Sequence, residues 1–339
     1  MMQLDVLLPG CRSTMSHGMT LCLLAFSLQT SVASSSNADV ARTPPMGWSS
    51  WNALHCGISE GIIANVSKGL VDSGLKDAGY VYVNLDDCWM AKERDNVTGE
   101  LLAGRNFPSG MKALGDALHA QGLKFGLYSD RGFKTCQSFP GLLDNEARDV
   151  ATMAKFGIDF LKNDGCYTTA PQLEGDGMSW MKNEPNSPAA RTAYEVYART
   201  HAAIIASGRA IVHNIKGQPG GGMNASAARS VSNLRRCGDD IGDSWGSAVG
   251  EFINCQKDQR FAGAGYWNDP DSLEVGNGKQ TKLEYRSHFA MWCVGKHPLI
   301  LGFPLGRPGY PTCVDCASSH DIYEILLNKV SYVFVTVYD

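Results

Sequence analysis

Lys162, Asn163 and Asp164 are where chemistry is most directly legible. They end the run FGIDFLKNDGC (156–166), in which β-branched and aromatic residues lead to a glycine that can turn the chain sharply. Strand side chains alternate between two faces, so Ile158, Phe160, Lys162 and Asp164 share one face while Asp159, Leu161 and Asn163 share the other. A lysine two residues before an aspartate at the carboxyl end of a strand holds that carboxylate ionised by direct attraction. An ionised, positioned carboxylate is what covalent catalysis at a sugar carbon requires. For this segment alone, a salt-bridged strand end with no catalytic role explains the residues equally well.

A carboxylate positioned for attack needs a rigid frame. Runs with the character of buried strands occur at Met46 to Trp51, Tyr80 to Asp87, Leu123 to Asp130, Ile158 to Asp164, Ala210 to Ile215, Ser230 to Leu234, Gly263 to Asn268 and Pro298 to Gly302. Between them, Ile62 to Asp77, Met111 to Gln121, Asn145 to Lys155, Ala189 to Ser207, Asp243 to Arg260 and Lys282 to Val294 carry apolar residues at helical spacing. Strands alternating with helices imply parallel pairing through crossovers, and their number predicts an α/β fold with a closed (β/α)8 TIM barrel over 41–329. A doubly wound open sheet is the rival, but neither GxGxxG nor a P-loop follows the first strand.

A barrel of this kind places its chemistry at the carboxyl ends of its strands. Trp51 closes the first, Asp86, Asp87 and Trp89 the second, Tyr128 and Asp130 the third, and Lys162 and Asp164 the fourth. Arg236, Asp239 and Asp240 follow the sixth, and Asp269 and Asp271 the seventh. Scattered surface charge would not crowd one rim in this way. Carboxylates that grip hydroxyls, beside aromatic faces that cover C–H surface, suit a small carbohydrate.

With 339 residues, 44% hydrophobic and 19% charged, the chain can fill a large core. A net charge of -4 with scattered basic residues excludes a nucleic-acid footprint. Thr20 to Phe26 is an apolar core too short to span a bilayer and Ser31-Val32-Ala33 suits cleavage, so residues 1–33 read as a secretory signal and 34–40 as a linker. No other run is long enough for a membrane span. Asn65, Asn96 and Asn224 head glycosylation sequons. Of 11 cysteines, Cys11 and Cys22 fall in the leader; the odd remainder requires a free thiol. Cys313 and Cys316 form a CxxC without a second zinc-type pair, so neither a metal site nor any other cofactor is expected.

PPMGWSSWN (44–52), NLDDCW (84–89), GLYSDRG (126–132), FLKNDGC (160–166), RCGDDIGDSW (236–245), WNDPD (267–271) and PLILG (298–302) occur in order, and together they resemble glycoside hydrolase family 27. That family contains α-galactosidases and α-N-acetylgalactosaminidases. The resemblance implies Asp164 as the nucleophile of a retaining hydrolase and Asp240 as its general acid/base, with Asp239 the competing position. It implies Trp51, Asp86, Asp87, Tyr128, Lys162, Arg236 and Asp271 as sugar-binding residues, and disulfides Cys56 with Cys88 and Cys136 with Cys166. Cys237 and Cys255 lie outside those positions and are expected as buried thiols; His213 is expected as a hydrogen-bonded core histidine. For the mechanism, Asp240 needs a pKa raised by its neighbouring carboxylate and Asp164 one depressed by Lys162.

Two departures qualify the match. After the fifth strand the family carries a cysteine and a glutamate that reads the second hydroxyl, whereas this chain has Ile215, Lys216 and Gly217. A lysine cannot accept a hydrogen bond, so recognition at that carbon differs here. Family members also continue into a β-sandwich where this chain ends in the atypical run 330–339. An exo-acting α-galactosidase is the leading expectation. An α-N-acetylgalactosaminidase or related α-pyranosidase, or an inactive sugar-binding barrel, is the alternative.

Overall fold

Each β-branched or aromatic run expected as a strand contributes to one parallel sheet: β1 (Met46–Ser49), β2 (Tyr82–Leu85), β3 (Lys124–Asp130), β4 (Phe160–Asp164), β5 (Val212–Lys216), β6 (Leu234–Arg236), β7 (Trp267–Asp269) and β8 (Leu299–Leu301). This computed structural model describes residues 40–167, 188–217 and 223–327. The expected leader and the 330–339 tail lie outside the described residues. The strand order is β7-β6-β5-β4-β3-β2-β1-β8. Leu273, just past β7, bridges to Leu301 of β8 in the parallel sense. Its amide donates to the Ile300 carbonyl at 2.7 Å, and Gly302 donates to the Leu273 carbonyl at 3.0 Å. The sheet therefore curls round to meet itself, as the alternation of strands and helices predicts.

The crossovers are α1 (Trp51–Leu54) and α2 (Glu60–Asp72), α3 (Gly110–Ala120), α4 (Glu146–Phe156), α5 (Pro188–Ala206), α6 (Ala225–Arg229), α7 (Trp245–Gln256) and α8 (Lys282–Val294), with α9 (His320–Leu327) after β8. Local sequence sets their limits. Ser59 caps α2 through the Ile62 amide, and Thr281 and Glu284 form a reciprocal capping box on α8. Gly157 ends α4 in the left-handed region (φ 88) and so delivers the chain into β4.

Two strands sit later than their sequence suggests. β6 was expected at Ser230 to Leu234, but Asn224 caps the short helix α6 and Val231 packs into a cluster with Tyr197, Ile215 and Tyr266. Pairing therefore starts only at Leu234. Before β7, Gly263 and Tyr266 exchange two 2.8 Å backbone hydrogen bonds in a tight turn, which delays the strand to Trp267. The helix expected at Asp243 to Arg260 stops at Gln256 and resumes as a 3-10 turn at Gln259–Phe261.

Alternation along β4 sorts its side chains as expected. Phe160 joins Tyr82, Val212, Leu234 and Trp267 in an apolar cluster, one strand repeat below Lys162 and Asp164. On the opposite face Asn163 reaches Thr200 of α5 at 3.4 Å and His213 at 3.2 Å. His213 is fully buried, its Nδ1 is 2.8 Å from the Val231 carbonyl, and burial pushes its pKa down to about 3. It is the neutral core histidine expected.

Close strand packing makes one glycine essential. A Cβ on Gly47 would overlap the carbonyl of Tyr82, its β2 partner. We expect Gly47→Ala to lower stability by about 1–3 kcal/mol through forced strand displacement. An unchanged denaturant midpoint would contradict this account of the β1–β2 contact.

Candidate active site

The parallel register between β3 and β4 sets Tyr128 beside Lys162 and Asp130 beside Asp164. Two strand-end carboxylates are thereby brought together out of water, and their surroundings drive them apart in acidity. Asp130 is fully buried and is pushed well above the usual carboxylate range, first by burial and then by the charge of Asp164. The Gly132 and Cys166 amides, at 2.7 and 2.8 Å, only partly offset this. For Asp164 burial also acts upward, but Lys216, Lys162 and Arg236 outweigh it and hold the carboxyl below its ordinary value. The two carboxyls therefore shift in opposite directions, Asp130 up and Asp164 down.

The carboxylate of Asp164 is fixed from several sides. Its Oδ1 accepts from the Gly165 amide at 2.8 Å, and its Oδ2 accepts from the Tyr128 hydroxyl at 3.2 Å. The cation that touches it is not the one expected. Lys162 donates to Asp86 Oδ2 at 2.6 Å and acts on Asp164 only through space, because its ammonium is turned toward β2. Lys216, at the end of β5, lies 3.6 Å from Asp164 Oδ1 and 3.0 Å from Asp240 Oδ1. One ammonium thus spans the two carboxylates. Their contacted oxygens can be no farther apart than the sum of those distances, a span that includes the roughly 5–5.5 Å of retaining glycosidase pairs.

Asp240 differs from expectation in its charge. Burial would raise its pKa, but Arg236 and then Lys216 overcome that effect and keep the carboxyl below its ordinary value. The carboxylate expected to raise it is outmatched by two cations at 3.1 and 3.0 Å. Since the Asp240 side chain is 74% exposed, water screens these contacts and weakens the depression. Asp240 borders the central cavity and Asp239 does not, which separates the two adjacent candidates geometrically.

That cavity, of about 580 Å³, brings together Trp51, Asp86, Asp87, Tyr128, Lys162, Asp164, Arg236, Asp240 and Asp271, all the expected site residues. Arg236 also meets Asp271 Oδ2 at 2.9 Å, and the same oxygen accepts from the Ile241 amide at 3.0 Å. The loop carrying Asp240 is tied to β7 in this way. Asp87 is less free to meet a ligand. Thr135 Oγ1, the Gln137 amide and the Cys88 amide donate to its two oxygens at 2.8–2.9 Å, and burial lifts its pKa to about 6. Glu274 was not anticipated. It lines the same cavity, is held by Asn52 and Asn277, and burial lifts its pKa to about 7. Its place three residues beyond Asp271 was the available signal.

Disulfides brace the rim. Cys56–Cys88 joins the loop after α1 to the end of β2, and Cys136–Cys166 joins the loop after β3 to the end of β4. Cys237 and Cys255, expected as thiols, are also bonded, because α7 folds back over β6 and brings their Cα atoms within 5.2 Å. Cys313–Cys316 forms a fourth bond, and Cys293 is the buried free thiol required by the odd count. These bonds match folding in an oxidising compartment. The sequon residues Asn65, Asn96 and Asn224 are all exposed. Among the described residues no helix is long and apolar enough to cross a membrane.

The sequence profile described as alpha galactosidase A matches residues 43–307. The chain is 41% identical over 264 residues to an alpha-galactosidase of Oryza sativa subsp. japonica, covering 78% of this chain and 58% of that protein. It is 36% identical over 287 residues to an alpha-N-acetylgalactosaminidase of Gallus gallus, covering 78% and 66%. The crystal structure of alpha-galactosidase I from Mortierella vinacea superposes with a TM-score of 0.77 at 32% identity, covering 90% of this chain and 76% of that one. The Saccharomyces cerevisiae enzyme with raffinose gives 0.71 at 29%, covering 87% and 66%. The chain spans about three fifths of the length of the plant relatives it matches.

Removing the shared cation should move both carboxyls in one direction. We expect Lys216→Met to raise the pKa of Asp164 and of Asp240, read by carbon-detected NMR titration. If neither moves, the bridging ammonium does not govern their charge.

Proposed function

The chain belongs to the alpha galactosidase A family, and from that premise we propose that it is a retaining exo-glycosidase releasing terminal α-linked galactose from oligosaccharides or glycoconjugates. The observation that carries this reading is that Asp164 and Asp240 both meet one ammonium within one cavity. A sugar-binding protein has no use for a second carboxylate held so near the first.

In this mechanism Asp164, ionised, attacks the anomeric carbon while Asp240 gives a proton to the departing oxygen. Asp240 then takes a proton from water, whose oxygen displaces Asp164 from the sugar. Two inversions leave the configuration unchanged. Tyr128 and the Gly165 amide hold the attacking carboxylate, while Lys162, Asp86, Arg236 and Asp271 supply donors and acceptors to the hydroxyls. Arg236 and Lys216 hold the Asp240 carboxyl below its ordinary value, so a bound sugar must change these surroundings before Asp240 can act as an acid. A pyranose between Asp164 and Asp240 would displace water and draw Lys216 away from Asp240, and both changes favour the protonated form.

An α-N-acetylgalactosaminidase is the second reading, supported by similarity to the Gallus gallus enzyme and by Lys216 and Gly217 at the end of β5. The disulfides and the exposed sequons support action outside the cytosol, in an extracellular, vacuolar or lysosomal setting.

Release of nitrophenol from aryl α-galactoside and aryl α-N-acetylgalactosaminide tests both readings, and the faster substrate decides between them. We expect Asp240→Ala to lose about 10²–10⁴-fold in rate, and Asp164→Ala to lose at least as much. Proton NMR of the first sugar released should show the α-anomer. Initial β-anomer would overturn retention. Galactose binding without turnover of either glycoside would make the protein a sugar-binding barrel.

A further inference from the structure

Six cations border the cavity: Lys279 and Arg307 are exposed, and three of the other four are committed to carboxylates. Lys162 is paired with Asp86, Arg236 with Asp271 and Asp240, and Lys216 with Asp240 and Asp164. Arg131 differs. It is 6% exposed, its Nε is buried with no hydrogen-bond partner, and among the described residues no carboxylate lies within ion-pair distance of its guanidinium. Its neighbour Asp130 attracts it, but the Asp130 oxygens accept from the Gly132 and Cys166 amides and neither comes within ion-pair distance of the guanidinium. The guanidinium instead lies over the Tyr197 ring, 5.4 Å from the centroid.

Its position is set by β4. A Cβ built on Gly165 would find Arg131 Nε at 3.4 Å, Arg131 Nη2 at 3.8 Å and the Cβ of Lys216 at 3.8 Å. The missing side chain at Gly165, the residue after Asp164, thus leaves a gap flanked by Arg131 from the end of β3 and Lys216 from the end of β5. All three residues line the cavity. A buried guanidinium nitrogen with no hydrogen-bond partner is costly, and an anionic ligand would offset that cost.

We propose that Arg131, with Lys216 beside it, forms an anion-accepting subsite over Gly165, and that the preferred substrate is a galactoside bearing a sulfate ester or a carboxylate near the scissile bond. The proposal rests on the glycosidase reading for its substrate class. Sulfate and carboxylate share the needed chemistry, a delocalised anion with oxygens for a guanidinium fork.

Calorimetric binding of non-hydrolysable monosaccharides to the full chain tests the subsite without depending on turnover. The probes are galactose, galactose 2-sulfate, galactose 6-sulfate and galacturonic acid. One charge-assisted contact at a desolvated guanidinium should make at least one anionic sugar bind roughly tenfold or more tighter than galactose. Which one gains tells sulfate from carboxylate. Arg131→Gln, which keeps bulk and donors but not charge, and Arg131→Ala should both reduce that advantage to within about twofold, while Arg131→Lys retains part of it. Galactose itself should bind all variants alike. If Arg131→Ala does not fold, the wild-type comparison and Arg131→Gln still decide. An absence of any anionic advantage in the wild type, or an advantage that survives Arg131→Gln, would overturn the proposal. Failure of glycoside turnover with these binding differences intact would instead count against the hydrolase reading alone.

Discussion

Charge held out of bulk water, in close balance, is the constraint on which the barrel mouth depends. Asp164 sits among Lys216, Lys162 and Arg236, and each of those cations is shared with a second carboxylate. Lys216 and Arg236 each meet two carboxylates, so the groups at the centre orient one another. Such an arrangement is costly to build, because each ion gives up solvent, and it is tolerable only where geometry is fixed beforehand. Parallel strand ends supply that geometry. They converge on one rim, and their register places Tyr128 against Lys162 and Asp130 against Asp164 without any loop having to adjust.

The covalent clamps extend the same logic to the parts that strands cannot hold. Cys136–Cys166 secures the segment just beyond Asp164, Cys56–Cys88 secures the segment just beyond Asp86 and Asp87, and Cys237–Cys255 pins the segment just beyond Arg236 to α7. Each bond begins one or two residues past a charged rim side chain. Rigidity is concentrated where misplacement by an ångström would matter most for a reaction between fixed partners.

Much of this was legible in the residues. Strand periodicity located β1 to β5 and β8 because their apolar runs are bounded by turn-forming glycines and polar residues. It misplaced β6 and β7, where Val231 and Tyr266 read as strand but serve packing around α6 and a tight turn. Motif order found Trp51, Asp86, Asp87, Tyr128, Lys162, Asp164, Arg236, Asp240 and Asp271, but not Arg131, Lys216 or Glu274, which line the same cavity. Charge partners were not legible, since they depend on which way a long side chain turns: Lys162 faces Asp86, and Lys216, at the end of β5, reaches Asp164 and Asp240. The downward shift of Asp240 and the Cys237–Cys255 bond escaped for the same reason, as both follow from three-dimensional proximity rather than spacing.

The seam between β7 and β8 stands apart from the rest of the sheet. Every other adjacent pair is joined by a ladder of at least three registered residues, whereas here a single residue, Leu273, links the two edges. With fewest backbone bonds to break, this is where the cylinder would part first during transient opening. Asp271 and Glu274 flank that residue, so momentary loosening of the wall would reach the polar mouth before it disturbed the apolar interior beneath Phe160 and Val212.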